Sequence, residues 1–191
     1  MNTPKLLFVR HAAVTRNPAQ ASHSWSLSAN GRFQAAQLAP QLTAHQPTRI
    51  ITSEETKAQE TGQIIAQNLG LPWGTAPGLQ EHDRHGAPYI ARHEDFVTAV
   101  SQLFTHPNKL VFGNETAQAA RERMETAVQQ QLATYPNDTL IIVTHGTILT
   151  LFLCQHNPHL NPITFWQNLP LPWVGIVTLP TFSLTNTLLH K

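Results

Sequence analysis

A chain of 191 residues with Lys+Arg 12 against Asp+Glu 11 has a formal charge of +1 and is long enough for one substantial core, a single domain over 1–191. It carries no basic block or Lys/Arg stripe of the kind that tracks a phosphate backbone, which excludes nucleic acid as an expected partner. The single cysteine, Cys154, follows the apolar run 149–153, excludes an intramolecular disulfide and reads as a core thiol.

Only four apolar residues, Leu6 to Val9, stand between Lys5 and Arg10. That is too few for a signal peptide or a spanning helix, so the expectation is a cytoplasmic protein with no membrane partner. The same run predicts a buried strand that stops abruptly at Arg10-His11. In open α/β sheets ligands bind at the strands' C-terminal edge. Arg10 offers a planar fork of donors suited to phosphate or carboxylate, and a neutral His11 is both a nucleophile and a proton carrier. An isolated Arg-His pair also fits an ordinary strand end, and the rest of the chain has to distinguish the two.

After a polar stretch with a turn at Asn17-Pro18, Ser28 caps a helix whose face is Phe33, Ala36, Gln37 and Leu38, with Pro40 bending or ending it near Leu42. Arg49 to Ser53 is a short β-branched strand. A helix over 55–69 follows, with Glu54 and Glu55 placed to suit its dipole and Gly70 and Pro72 to stop it. Two β-then-α units in succession predict a parallel sheet with helices on its faces. The segment 71–88 is rich in Pro, Gly and His and reads as a long functional loop. Helices are expected over 93–104 and 115–135.

The stretch 139–146 repeats the opening design, an apolar strand ending in His145, with a helix over 147–155 after it. A second histidine thus belongs at the same sheet edge. A short helix at 163–169 and a terminal hairpin of 174–179 with 183–189 at the sheet's edge complete the reading. Among the eleven histidines, His82 and His85 are close, but no His-Glu-x-x-His or Cys/His spacing occurs. No metal and no other cofactor is expected, a non-sequential histidine cluster being the alternative. Trp25, Trp73, Tyr89 and Trp166 read either as core or as the lining of a pocket for an apolar or ring-bearing alcohol.

Several short motifs fall in a fixed order: Phe8-Val9-Arg10-His11 with Asn17, Leu27-Ser28-x-x-Gly31-x-x-Gln34-Ala35, Ser53-x-x-x-Lys57-Ala58-x-Glu60-Thr61, Glu81 in the mid-chain loop, Gly113-x-Glu115, and Val143-Thr144-His145-Gly146. Each is weak alone; the ordered set resembles the histidine phosphatase superfamily, the phosphoglycerate mutase-like enzymes. The resemblance implies a three-layer α/β/α sandwich with a mainly parallel central sheet. It also implies a phosphomonoesterase acting on a small phosphorylated metabolite through a phosphohistidine on His11.

In that mechanism Arg10, His145 and Lys57 hold the non-bridging oxygens, with Asn17 bordering the phosphate and Gly146 opening a helix that adds N–H donors. Glu81 is the general acid and then the base, with Asp83 as its competitor two residues on. The sequence departs from the family in having Ala12 and Ala13 after the histidine, where Gly and an acidic residue are usual. It also has Lys57 for the second arginine, which keeps the charge and loses the bidentate fork. A phosphoglycerate mutase-type transferase is the alternative within the class; a non-catalytic phosphate-binding protein and a His-rich metal module are those outside it. The oligomeric state is left open, a homodimer included.

Overall fold

The fully apolar runs 6–9 and 140–143 have to be covered on both faces, and the strands that hold them, β1 (Lys5–Arg10) and β4 (Leu140–Thr144), lie side by side in the middle of one sheet. In the computed structural model, which describes residues 5–188, β2 (Arg49–Thr52), β3 (Trp73–Thr75), β5 (Trp173–Thr178) and β6 (Ser183–Leu188) complete the order β3-β2-β4-β1-β5-β6. The first four strands run parallel. β5 is antiparallel to β1, and β6 to β5.

The pleat divides the core in two. Leu6, Phe8 and Ile142 face one side, where they meet Met124 and Val128 of α4 (Ala117–Thr134) and Phe152 of α5 (Gly146–His156). Leu7, Val9, Ile141 and Val143 face the other, against Leu38 and Leu42 of α1 (Ala29–Leu42) and Ala58 and Ile65 of α2 (Thr56–Leu69). Helices on both faces of a mainly parallel sheet make the three-layer α/β/α sandwich expected from the sequence. The two remaining helices, α3 (His93–Thr105) and α6 (Pro162–Gln167), contact each other through rings beside the C-terminal edge. Among the described residues no helix is long and apolar enough to cross a membrane.

Three local expectations need correction. The segment 71–88 is not wholly irregular, because Trp73–Thr75 pairs with Ile50–Thr52 as a short edge strand; three residues preceded by Pro72 and split by Gly74 show no alternation to read. The buried face of α1 runs through Gly31, Ala35, Leu38 and Leu42, while Phe33 is 63% exposed. Pro40 lies inside that helix, which still ends at Leu42. Glu55 is the N-cap of α2, not a first-turn residue, and it makes no capping bond because its carboxylate is used elsewhere. The terminal hairpin forms at the sheet's edge, and its expected last residue, Leu189, lies outside the described residues.

Candidate active site

Three neighbouring strand ends bring the candidate residues together. His11 N–H donates to Thr144 O and Ser53 N–H to Val143 O, so the residues leaving β1, β2 and β4 stay in register past the sheet. His11 and His145 face each other with ring centroids 5.3 Å apart. The motif around Ser28 explains how His11 is held there. Ala13 O accepts from Ser28 N, Ala13 N–H donates to Gln34 Oε1, and Ala12 N–H donates to Thr61 Oγ1. A Cβ at position 31 would lie 1.9 Å from Ala13 O, so only glycine admits this approach of helix to loop. The methyl of Ala12 is fully buried in a small cluster with Leu27 and Ala35.

The proton on His11 is placed by its partner. Nδ1 lies 2.8 Å from Ala12 O, which can only accept, so Nδ1 carries the hydrogen and Nε2 keeps its lone pair. Burial first, then the neighbouring His145, Lys57 and Arg10, push its pKa well below the usual histidine value and keep it neutral. His145 is fully buried and pushed down to about 4, chiefly by burial. Its Nε2 lies 2.8 Å from Ser53 Oγ, which already accepts from Glu55 N–H. His145 Nδ1 is buried and has no partner. Arg10 is in the same condition: Nη1 donates to Leu169 O, and Nε is buried without an acceptor. Gly146 lies against this guanidinium, since a Cβ there would be 3.0 Å from Arg10 Cζ and Nε. An orphaned guanidinium N–H and an unpartnered imidazole nitrogen, both on buried cation-capable side chains, suit an oxyanion.

Glu81 sits at the N-terminus of α5, where its carboxylate accepts from Thr147 N and Ile148 N at 3.1 and 2.9 Å and pairs with Arg84 at 3.3 Å. Burial favours the neutral acid. Arg84, His145 and the backbone N–H groups outweigh it and hold Glu81 ionised, well below the usual carboxylate range. Asp83 is turned to its own loop, accepting from His85 N and Asn114 Nδ2. Asn17 caps a turn at Ala19 N, and its carbonyl accepts from Trp25 Nε1.

Two residues that the sequence reading gave no part in the site shape this arrangement. Glu55 accepts from Lys57 Nζ and from Glu81 N–H, and its Oε1 lies 3.6 Å from His145 Nε2. Lys57, whose Nζ also donates to Ser22 O, is thus committed to protein partners. Burial acts to raise the Glu55 carboxyl, but His145, Lys57 and the Glu81 N–H hold it lowered and charged. Arg123 donates to Glu115 and to the carbonyls of Gly78, Gln80 and Glu81, fixing the loop that carries Glu81. The acidic residue at 55 was visible two positions before Lys57; the role of Arg123 had no local signal.

The site opens into a cleft of about 1340 Å³ that reaches Arg10, Glu55 and Glu81 at its inner end. Trp25, Tyr89 and Trp166 line it; Trp73 instead lies on β3, 38% exposed, at the sheet's far edge. Cys154, expected in the core, is only half-buried, outside the core clusters and away from the cleft, and partial burial pushes its thiol up to about 11. Among the described residues no three His, Cys, Asp or Glu side chains are grouped to hold a metal ion.

Comparison with known proteins gives concordant matches. The family model described as "Histidine phosphatase superfamily (branch 1)" matches residues 6–182. A protein named as a probable phosphoglycerate mutase GpmB from Cronobacter sakazakii is 29% identical over 154 residues, 76% of this chain and 71% of that one. Among solved structures, the phosphoserine phosphatase of Entamoeba histolytica in complex with 3-phosphoglyceric acid superposes with a TM-score of 0.77 at 17% identity, over 98% of each chain. A mycobacterial glucosyl-3-phosphoglycerate phosphatase complexed with VO3 gives 0.73 at 16% identity, over 98% of this chain and 99% of that one.

Proposed function

Because the chain belongs to the histidine phosphatase superfamily, we propose that it is a phosphomonoesterase working through a phosphohistidine on His11. The observation that carries this reading is the neutral imidazole of His11, its hydrogen tied to Ala12 O and its Nε2 lone pair free, near the unpartnered buried nitrogens Arg10 Nε and His145 Nδ1. Nε2 attacks phosphorus, the bond to the ester oxygen breaks, and that oxygen takes a proton from Glu81. In the second step Glu81 takes a proton from water, which attacks the phosphohistidine and releases phosphate. Arg10, His145 and Lys57 meet the developing charge on the non-bridging oxygens, aided by the N-terminus of α5 at Gly146. Lys57 serves this role by giving up Glu55, and Asn17 acts through the loop that holds Trp25. No metal takes part.

Acid quenching after mixing with ³²P-labelled substrate tests the mechanism. An acid-labile phosphoenzyme is expected in the parent protein and none in His11→Ala, whose turnover falls below about a hundredth of the parental rate. A variant that keeps more than that refutes the covalent route. Activity that survives chelation and dialysis is the companion expectation; loss restored by Zn²⁺ or Mn²⁺ would overturn the metal-free route. The likeness to a probable phosphoglycerate mutase favours one second reading, phosphoryl transfer between hydroxyls. The two separate cleanly with 3-phosphoglycerate: a phosphatase releases inorganic phosphate, a mutase returns the isomeric ester.

A further inference from the structure

We propose that the phosphoryl group comes from an alcohol bearing a planar ring, held in a subsite of four aromatic side chains at the mouth of the cleft. The proposal rests on the phosphomonoesterase reading and names the leaving group it is built for. Phosphate itself needs only the inner end of the cleft, at Arg10 and Glu81, so most of the 1340 Å³ is left for the rest of the ester.

What lines that remainder decides its chemistry. Trp25 comes from the loop after β1, Tyr89 from the loop after Glu81, Phe96 from α3 and Trp166 from α6, so four separate segments each contribute one ring to one cleft. They form two pairs. Trp25 and Tyr89 meet edge to face with centroids 6.3 Å apart, and Phe96 and Trp166 meet at 5.7 Å. The indole N–H of Trp25 is already used, donating to Asn17 O and Gln20 O, which fixes the ring and leaves its apolar surface as what it offers the cleft. Tyr89 is 47% exposed, more than a core ring of its size would be.

Arg84 links the two ends. Its guanidinium pairs with Glu81 and lies 5.1 Å from the Phe96 ring, so the flat cation sits between the proposed proton donor and the aromatic wall. A flat π-system is the ligand that edge-to-face rings and a stacked guanidinium recognise better than an alkyl chain of equal area.

Phosphonates, which bind without turnover, test the subsite apart from the chemistry. Calorimetry with 3-phenylpropylphosphonate, n-hexylphosphonate and methylphosphonate should show the phenyl compound binding about tenfold or more tighter than the hexyl one, with methyl weakest. Tyr89→Ala, at an exposed position that does not endanger folding, should reduce the phenyl-to-hexyl ratio about tenfold. Trp25→Ala should do the same. In steady state the parent's kcat/KM should favour 3-phenylpropyl phosphate over n-hexyl phosphate in the same proportion, the two leaving groups being equally basic. Equal affinity for phenyl and hexyl compounds, or a ratio that both variants leave unmoved, overturns the ring subsite even if phosphate is released from every ester. Ring-selective binding without hydrolysis of any ester would instead overturn the phosphatase reading and leave the subsite standing.

Discussion

Replacing Glu55 by Gln should tighten the binding of phosphate and weaken the fold. The carboxylate holds Lys57 Nζ, lies 3.6 Å from His145 Nε2 and is only 10% exposed, against 7% for Lys57. A phosphate that uses Lys57 must therefore accept a second anion across one ammonium. Two unit charges about 5 Å apart at an effective dielectric near 20 repel by about 3 kcal/mol. Relaxation and the remaining solvent reduce this to about 1–2 kcal/mol, so Gln, which keeps the acceptor for Glu81 N–H, should lower the inhibition constant of inorganic phosphate about 5- to 30-fold. The same change leaves a buried lysine with Ser22 O alone. Breaking a buried pair costs about 3–5 kcal/mol, less here because some solvent reaches it. Urea unfolding with and without phosphate checks both signs: the variant is less stable alone and gains more from added phosphate than the parent. Phosphate affinity that is unchanged or weaker in the Gln variant would refute the competition and make Glu55 a group that positions Lys57 for the anion.

Neutral His145 in the fold makes stability depend on pH. Its pKa lies at about 4 in the fold against 6.5 unfolded, so the unfolded chain binds the extra proton between these values; stability is full above pH 6.5 and falls by about 3 kcal/mol as pH drops toward 4, measurable by urea midpoints, and a flat profile would contradict it. Gly146→Ala pushes a methyl against Arg10 and should cut kcat/KM about tenfold or more while the protein still folds; unchanged kinetics would show that the guanidinium moves freely. Glu81→Gln should slow an alkyl phosphate about 10²-fold yet slow p-nitrophenyl phosphate much less, because only the poor leaving group needs the proton. Asp83→Asn should show no such dependence, and an exchange of these behaviours would make Asp83 the acid.

The fold was legible where one physical demand ruled a whole segment. Leu6 to Val9 and Leu140 to Val143 are apolar at every position, which only a strand covered on both faces satisfies, and both end at the same edge with their histidines 5.3 Å apart. The helices capped by Ser28 and closed by Gly70 were readable from end chemistry. What escaped depends on partners distant in sequence. Phe33 fits a helical stripe, yet the packed stripe is the one beginning at Gly31, selected by a close approach to Ala13 O that no local pattern encodes. Glu55 looks like a residue for the helix dipole, and only the return of Lys57, Glu81 and His145 to one spot gives its carboxylate other work. Arg123 acts on carbonyls more than 40 positions away, a distance at which side-chain type carries no information. The aromatic residues were ambiguous for the same reason: three line the cleft and Trp73 does not, although all four look alike in sequence.

The state in which Glu81 is held bears on how one carboxylate can serve two steps. In the free protein it accepts two N–H groups of α5 and pairs with Arg84, and it is ionised, which suits the deprotonation of water and not the protonation of an alkoxide. Around it stand the cations Arg10, Lys57 and Arg84 against the anions Glu55 and Glu81, with His11 and His145 neutral. A phosphate ester dianion entering this group turns a small positive excess into a negative one. Coulomb repulsion then favours proton uptake on the carboxylate nearest the ester oxygen, against the opposing pull of Arg84 and the helix. Under the proposed mechanism, once the alcohol has gone and the phosphoryl group is on His11, the proton that Glu81 took up has left with it. The carboxylate returns to the hydrogen bonds that favour its charged form, ready for water. The proton affinity that each step requires is thus set by the charge of the group bound beside Glu81, with the backbone of α5 as the fixed counterweight and no change of fold needed between the two.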